Sequence, residues 1–107
     1  MKTKAVISLL DATQSGVSKS TGNPWVKKEC VIELCDETGH RDTLAVQTMS
    51  EQVVKVLEGC VKGDEVVMDL GFNSRARFFL RKDGSEGVIR QTEVYVKSVE
   101  VVKQAAY

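Results

Sequence analysis

The stretch RDTLAVQTMSEQVVKVLEGC, residues 41–60, changes its hydrophobic period part-way along, and that change decides the fold. From Arg41 to Thr48 the pattern alternates. Leu44 and Val46 point one way, and Thr43, Ala45 and Gln47 point the other, which is the period of a half-buried strand. Beyond it Val53, Val54, Leu57 and Cys60 recur at helical spacing. Ser50 offers an N-cap oxygen, Glu51 places a negative charge in the first turn, and Gly59 provides a stop. A strand is therefore followed by a helix of about two to three turns.

Strand signals lie on both sides of this junction. Trp25 to Leu34 alternates, with Val26, Cys30, Ile32 and Leu34 on one face and Trp25, Lys27, Glu29 and Glu33 on the other. Lys28 interrupts the apolar face near the strand's start, where its long stem is expected to reach solvent. Lys4 to Leu10 reads as the first strand rather than as a secretory signal, because its apolar patch is short. The cluster from Asp11 to Pro24, rich in Ser and Gly, reads as one long loop. Asp36-Glu37-Thr38-Gly39 reads as a turn into the third strand.

On the far side of the helix, Lys62-Gly63-Asp64 is a turn. Glu65 to Phe72 is a strand with Val66, Met68, Leu70 and Phe72 on one face. Residues 73–81 either continue that strand or open a loop. The Asp83-Gly84 pair suits a hairpin turn, and Val88 to Val102 holds the last strand, with Val94 and Val96 sharing a face.

The order strand, strand, strand, short helix, strand, strand predicts an all-β fold. It is the outline of a five-stranded Greek-key barrel of the OB type, with one short helix between strands three and four. Closing the sheet also removes exposed strand edges. Residues 1–103 are expected to form one domain, and residues 104–107 a frayed tail.

Composition bounds the function. The chain has 107 residues, 42% hydrophobic and 28% charged, an ordinary globular mix. Fifteen Lys and Arg balance fifteen Asp and Glu, which argues against a strongly basic duplex-binding protein. The distribution matters more: RARFFLRK, residues 75–82, holds four cations and no acid, whereas residues 41–69 lean acidic. Cys30, Cys35 and Cys60 are odd in number and have no close partner, so reduced, buried thiols in a cytoplasmic protein are expected. His40 is the sole histidine and no CxxC occurs; neither a metal nor a cofactor is expected. No nucleophile–base pair and no phosphate-cradling glycine loop stands out, so no enzyme activity is expected. No apolar run is long enough for a membrane helix.

Two stretches resemble a known family. Ser15, Gly16 and Ser18, followed by Trp25, Lys27, Val31, Ile32 and Glu33, are similar to the start of a small group of bacterial and phage OB-fold proteins of unknown function. That group itself resembles single-stranded DNA-binding proteins. Val61 to Leu70, VKGDEVVMDL, is similar to its entry into the fourth strand. The resemblance implies the barrel fold and, as partner, single-stranded DNA or RNA. Gly63 and Asp64 read as turn formers rather than binding residues.

Single strands are held by cations that track phosphate and by aromatic faces on which bases stack. In OB barrels the second and third strands build that surface, and neighbouring loops close over it. Trp25 and Lys27 alternate onto the outward face of strand two. Lys19 and Lys28 lie in or just after the long first loop. Arg75, Arg77, Phe79 and Arg81 share one face of an extended segment, with Lys82 beside them, while Phe78 and Leu80 fall on the other face, expected to be core. Arg41, Tyr95 and Lys97 are weaker outward candidates. A homodimer or higher homo-oligomer is expected, because a domain this small has little core. A protein-interaction module on the same barrel is the rival reading, favoured by zero net charge and by Glu29 and Glu33 on the Trp25 face.

Overall fold

The computed structural model describes residues 1–35 and 37–105. Six strands and one helix follow in order: β1 (Lys2–Leu10), β2 (Gln14–Val17), β3 (Pro24–Cys35), β4 (Arg41–Thr48), α1 (Glu51–Glu58), β5 (Glu65–Leu80) and β6 (Glu86–Lys103). The sheet runs β1-β5-β6-β4-β3-β2, and β1 also pairs with β3, which closes a ring. One strand serves two partners because it bends. Lys2 to Val6 pair with β5, Val6 to Leu10 pair with β3, and a register shift between Ile7 and Leu9 marks the bulge. The last seam is a parallel contact at Gln47 and Tyr95, between β4 and β6.

Two points of the expected architecture change. The strands number six rather than five, because Gln14–Val17 inside the long first loop pairs antiparallel with Pro24–Lys27. The helix accordingly lies between β4 and β5. Polar, glycine-containing QSGV carries little strand signal of its own; its partner strand supplies the hydrogen bonds.

The alternation read from the sequence fills the interior. Ile7, Cys30, Ile32, Val46, Val66, Met68, Leu70 and Val96 are buried, and Val53 and Leu57 of α1 close one end. The Ser50 hydroxyl accepts from the Val53 amide at 3.5 Å, the expected cap. Gly63 has φ +97°, and the neighbouring Asp64 carboxylate accepts from the amides of Val61 and Ala105 at 3.0 and 2.7 Å. That buried carboxylate ties the end of the last strand to the turn before β5, which confirms both residues as turn builders. Ala105 is thus fixed within the expected tail, while Ala106 and Tyr107 lie outside the described residues.

Cys30 and Cys60 are free and buried. Burial pushes the Cys30 thiol up to about 11, against the opposing charge of Lys28. The Cys35 side chain and the Asp36 position of the expected turn lie outside the described residues.

β5 and β6 outrun the barrel. Their pairing continues without a break from Phe72 with Val94 to Leu80 with Glu86, and a turn at residues 81–85 joins them. From Asn73 onward this is a free two-stranded ribbon, roughly 27 Å long at about 3.4 Å per residue. A register shift between Asp69 and Leu70 marks its departure from the barrel wall.

Candidate nucleic-acid interface

The ribbon has two chemically different faces, and its register assigns each residue. Ser74 and Thr92 hydroxyls lie 3.0 Å apart, which fixes the even-numbered face of β5. That face carries Phe72, Ala76, Phe78 and Leu80, with Val88, Arg90 and Glu86 opposite. The other face carries Arg75, Arg77 and Phe79, with Gln91, Ile89 and Gly87 opposite. It continues at the ribbon's root into Tyr95 and the outward surface of the barrel.

Phe78 and Leu80 correct the sequence reading. Both were expected in the core; they are 72% and 75% exposed. Their alternation is right, but the barrel ends before they are reached, so no opposing layer covers them.

Three aromatic rings on the outward face share one arrangement, which the sequence reading missed. Trp25 is paired with Gly16, Tyr95 with Gly71, and Phe79 with Gly87. In each pair the ring lies directly over the glycine. A β-carbon at Gly16 would fall 2.7 Å from the indole, and one at Gly71 or Gly87 would collide with the tyrosine or phenylalanine ring. Glycine inside a strand marks such close approaches, and that was the available signal. A ring seated on bare backbone is held flat, with little freedom left to lose. Tyr95 and Phe79 are each 39% exposed, and Trp25 is half-buried.

Cations cluster toward the Phe79 end of this face. Arg75 and Arg77 of β5 lie between the Gly71–Tyr95 and Phe79–Gly87 pairs, with Asn73 and Glu93 next to Tyr95. Arg81 places its guanidinium 5.6 Å from the Phe79 centroid, and donates to the Glu86 carbonyl at 2.9 Å. Among the described residues, no carboxylate forms an ion pair with Arg75, Arg77, Arg81 or Lys82. Asp83 instead accepts from the Ser85 amide and hydroxyl at 2.9 and 2.6 Å, and these bonds hold its carboxyl below the usual range.

The barrel's outward surface is different. Lys27 pairs with Glu29 at 3.1 Å, and Arg41 with Glu33 at 3.6 Å. A groove of about 230 Å³ between β3, β4 and β6 is lined in part by Asp11, Glu29 and Glu93. Carboxylates here disfavour phosphate. Residues 72–92 hold five cations and two acids, which leaves ten cations and thirteen acids elsewhere among fifteen of each.

The nine residues proposed from sequence therefore separate. Arg75, Arg77, Phe79 and Arg81 come together on one ribbon face, with Lys82 in the adjoining turn. Trp25 and Lys27 share the same outward side of the sheet, on β3. Lys19 is exposed in the turn between β2 and β3. Lys28 does not reach solvent as expected. It is buried, and its ammonium donates to the Asp11 carbonyl at 2.8 Å and the Thr13 hydroxyl at 3.2 Å. Its role is to pin the first loop to β3.

No family model matches the chain, and no curated protein does. Solved structures do. The mitochondrial single-stranded DNA-binding protein of S. cerevisiae shares 17% identity, with 98% of this chain and 95% of that chain covered and a TM-score of 0.63. The Plasmodium falciparum protein, solved in complex with single-stranded DNA, shares 10% identity over 98% of this chain and 93% of that one, at a TM-score of 0.54. The fold is that of single-stranded DNA-binding proteins. At these identities the likeness is one of backbone architecture, and it agrees with the OB barrel read from the sequence. Among the described residues no helix is long and apolar enough to cross a membrane, and no group of side chains has the make-up of a metal site.

Proposed function

We propose that the chain binds single-stranded nucleic acid, DNA in the first instance, without catalysing a reaction. One observation carries this reading: three aromatic rings lie seated on glycines along one continuous outward surface, and guanidinium groups free of carboxylate partners stand between two of them. Bases stack on the rings, each stack contributing about 1–3 kcal/mol, while the guanidinium groups track phosphate. The acidic groove on the barrel steers the phosphates toward the ribbon, so Arg75, Arg77, Arg81 and Lys82 hold the backbone. Trp25, Tyr95 and Phe79 receive bases, Lys27 beside the indole on β3 and Lys19 in the nearby turn add positive charge, and Lys28 takes no part. The shared architecture with DNA-binding proteins supports the reading.

Trp25 is the chain's only tryptophan and reports directly. Titration with oligothymidine at low salt is expected to quench its fluorescence in a saturable way, and oligouridine run alongside compares DNA with RNA. Unchanged fluorescence and no binding by anisotropy for either oligomer would overturn the proposal.

A further inference from the structure

The even-numbered face of the ribbon has no role in that interface. Its centre is apolar, it is flanked by one acid and one base, and none of the described residues covers it. Phe78 and Val88 form the centre and are 72% and 47% exposed. One pair toward the tip stand Leu80 and Glu86; one pair toward the barrel stand Ala76 and Arg90. With aromatic side chains carrying about 150–250 Å² each, the exposed apolar area here is on the order of 400 Å², as large as the largest patch of a typical monomer.

We propose that this face binds the same face of a second copy, about a two-fold axis crossing the ribbon through Phe78 and Val88. The pattern is complementary to itself about that axis. An in-plane two-fold across the strands lays β5 over the partner's β5 and reverses its direction. Phe78 and Val88 then meet their own equivalents. Leu80, one step toward the tip, meets the small Ala76 one step toward the partner's barrel. Glu86 meets Arg90 on the other strand, so each acid faces a base, twice by symmetry. A two-fold interface requires this kind of self-matching patch. Shifting the axis by one pair to Ala76 and Arg90 would set arginine against arginine and bring the phenylalanines out of register. A bulky group meets a small one and opposite charges meet only in the first arrangement.

The two ribbons stack at the usual spacing of about 10 Å between sheets. Together they remove on the order of 1,000 Å² from water once the stems of Arg90 and Glu86 are included, the lower edge of specific interfaces. A dissociation constant in the micromolar range is expected. The arrangement leaves the Arg75, Arg77 and Phe79 faces pointing outward on opposite sides of the stacked pair. It does not depend on nucleic-acid binding.

Sedimentation velocity across the micromolar range tests it. The wild-type chain is expected to self-associate, and Phe78→Glu to lose that step with a rise in dissociation constant of about 100-fold or more, the effect of removing a central aromatic anchor. Glu86→Arg and Arg90→Glu singly are each expected to weaken association roughly tenfold, and the two together to restore it. These residues are exposed, so circular dichroism and thermal unfolding of the dilute variants should match wild type. A wild-type chain that stays monomeric to 200 µM (a ceiling on the order of ordinary micromolar dimers), or a Phe78→Glu chain that assembles as wild type does, overturns the proposal. Failure of the double exchange to restore association overturns the axis.

Discussion

The ribbon is made from two of the barrel's own strands, β5 and β6, yet the two regions obey different rules. Up to the Phe72–Val94 pair, β5 and β6 have an inside: Val66, Met68, Leu70, Val94 and Val96 are buried against other strands and α1. Above it, the alternation persists but the inside is gone, and the residues of β5 from Phe72 to Leu80 are all exposed. The barrel is held by burial. The ribbon is held by its ladder, by cross-strand pairs such as Ser74 with Thr92, and by rings lying on glycine. A two-stranded ribbon with no third layer is marginal by itself. Its shape therefore follows from the barrel that roots it, and its side chains are free to meet something else.

Substitution sharpens the contrast. Ile32→Ala in the barrel is expected to cost about 2–5 kcal/mol, the usual range for a buried aliphatic. Phe78→Ala on the ribbon, measured at sub-micromolar concentration, is expected to cost less than about 0.5 kcal/mol, as exposed changes do. Chemical denaturation followed by circular dichroism measures both. Equal losses would show that the ribbon is part of the core and would remove the distinction.

A smaller effect is expected at Gly87. Gly87→Ala places a methyl group where the Phe79 ring lies and forces the ring off the backbone. Oligothymidine affinity should fall roughly 5- to 30-fold, about one stacking contribution, while the unfolding midpoint of the barrel stays close to wild type. Unchanged affinity would mean that a flat Phe79 plays no part in binding.

The same comparison explains what the sequence revealed. Within the barrel, period and partner coincide. Arg41–Thr48, the Ser50 cap and the Val53, Val54 and Leu57 stripe were all legible, because each residue's surroundings repeat the local pattern. Strand parity was legible on the ribbon too, and it placed Arg75, Arg77 and Phe79 together. Depth was not. Nothing in Phe78 or Leu80 records that the neighbouring strands have already ended. Lys28 failed for a related reason: its acceptors, the Asp11 carbonyl and Thr13 hydroxyl, arrive from 17 and 15 residues away. The ring-on-glycine pairs needed the exact strand register, which sets Gly16 against Trp25, Gly71 against Tyr95 and Gly87 against Phe79.

The smallest expected effect is a pH response at the ribbon's tip. Asp83 is held below the usual carboxyl range by its bonds to Ser85. A carboxyl depressed in the folded state adds stability above its unfolded value, about 3.9, and that stability is lost as pH falls through the lowered folded value. The Ser85 amide resonance should therefore shift during acidification below pH 4, while resonances of Ile32 and Met68 hold. A Ser85 amide that stays unmoved through that range would remove Asp83 from the turn.

The proposed binding surface is tested most directly by the salt dependence of oligothymidine affinity, compared between wild type and Arg75→Glu with Arg77→Glu. For single strands each phosphate contact contributes about −0.7 to the slope of log affinity against log salt. The double variant is expected to bind at least tenfold more weakly at low salt, with a slope shallower by about 1.4, and with unchanged unfolding. Equal affinities and parallel slopes would show that the phosphates do not follow the ribbon.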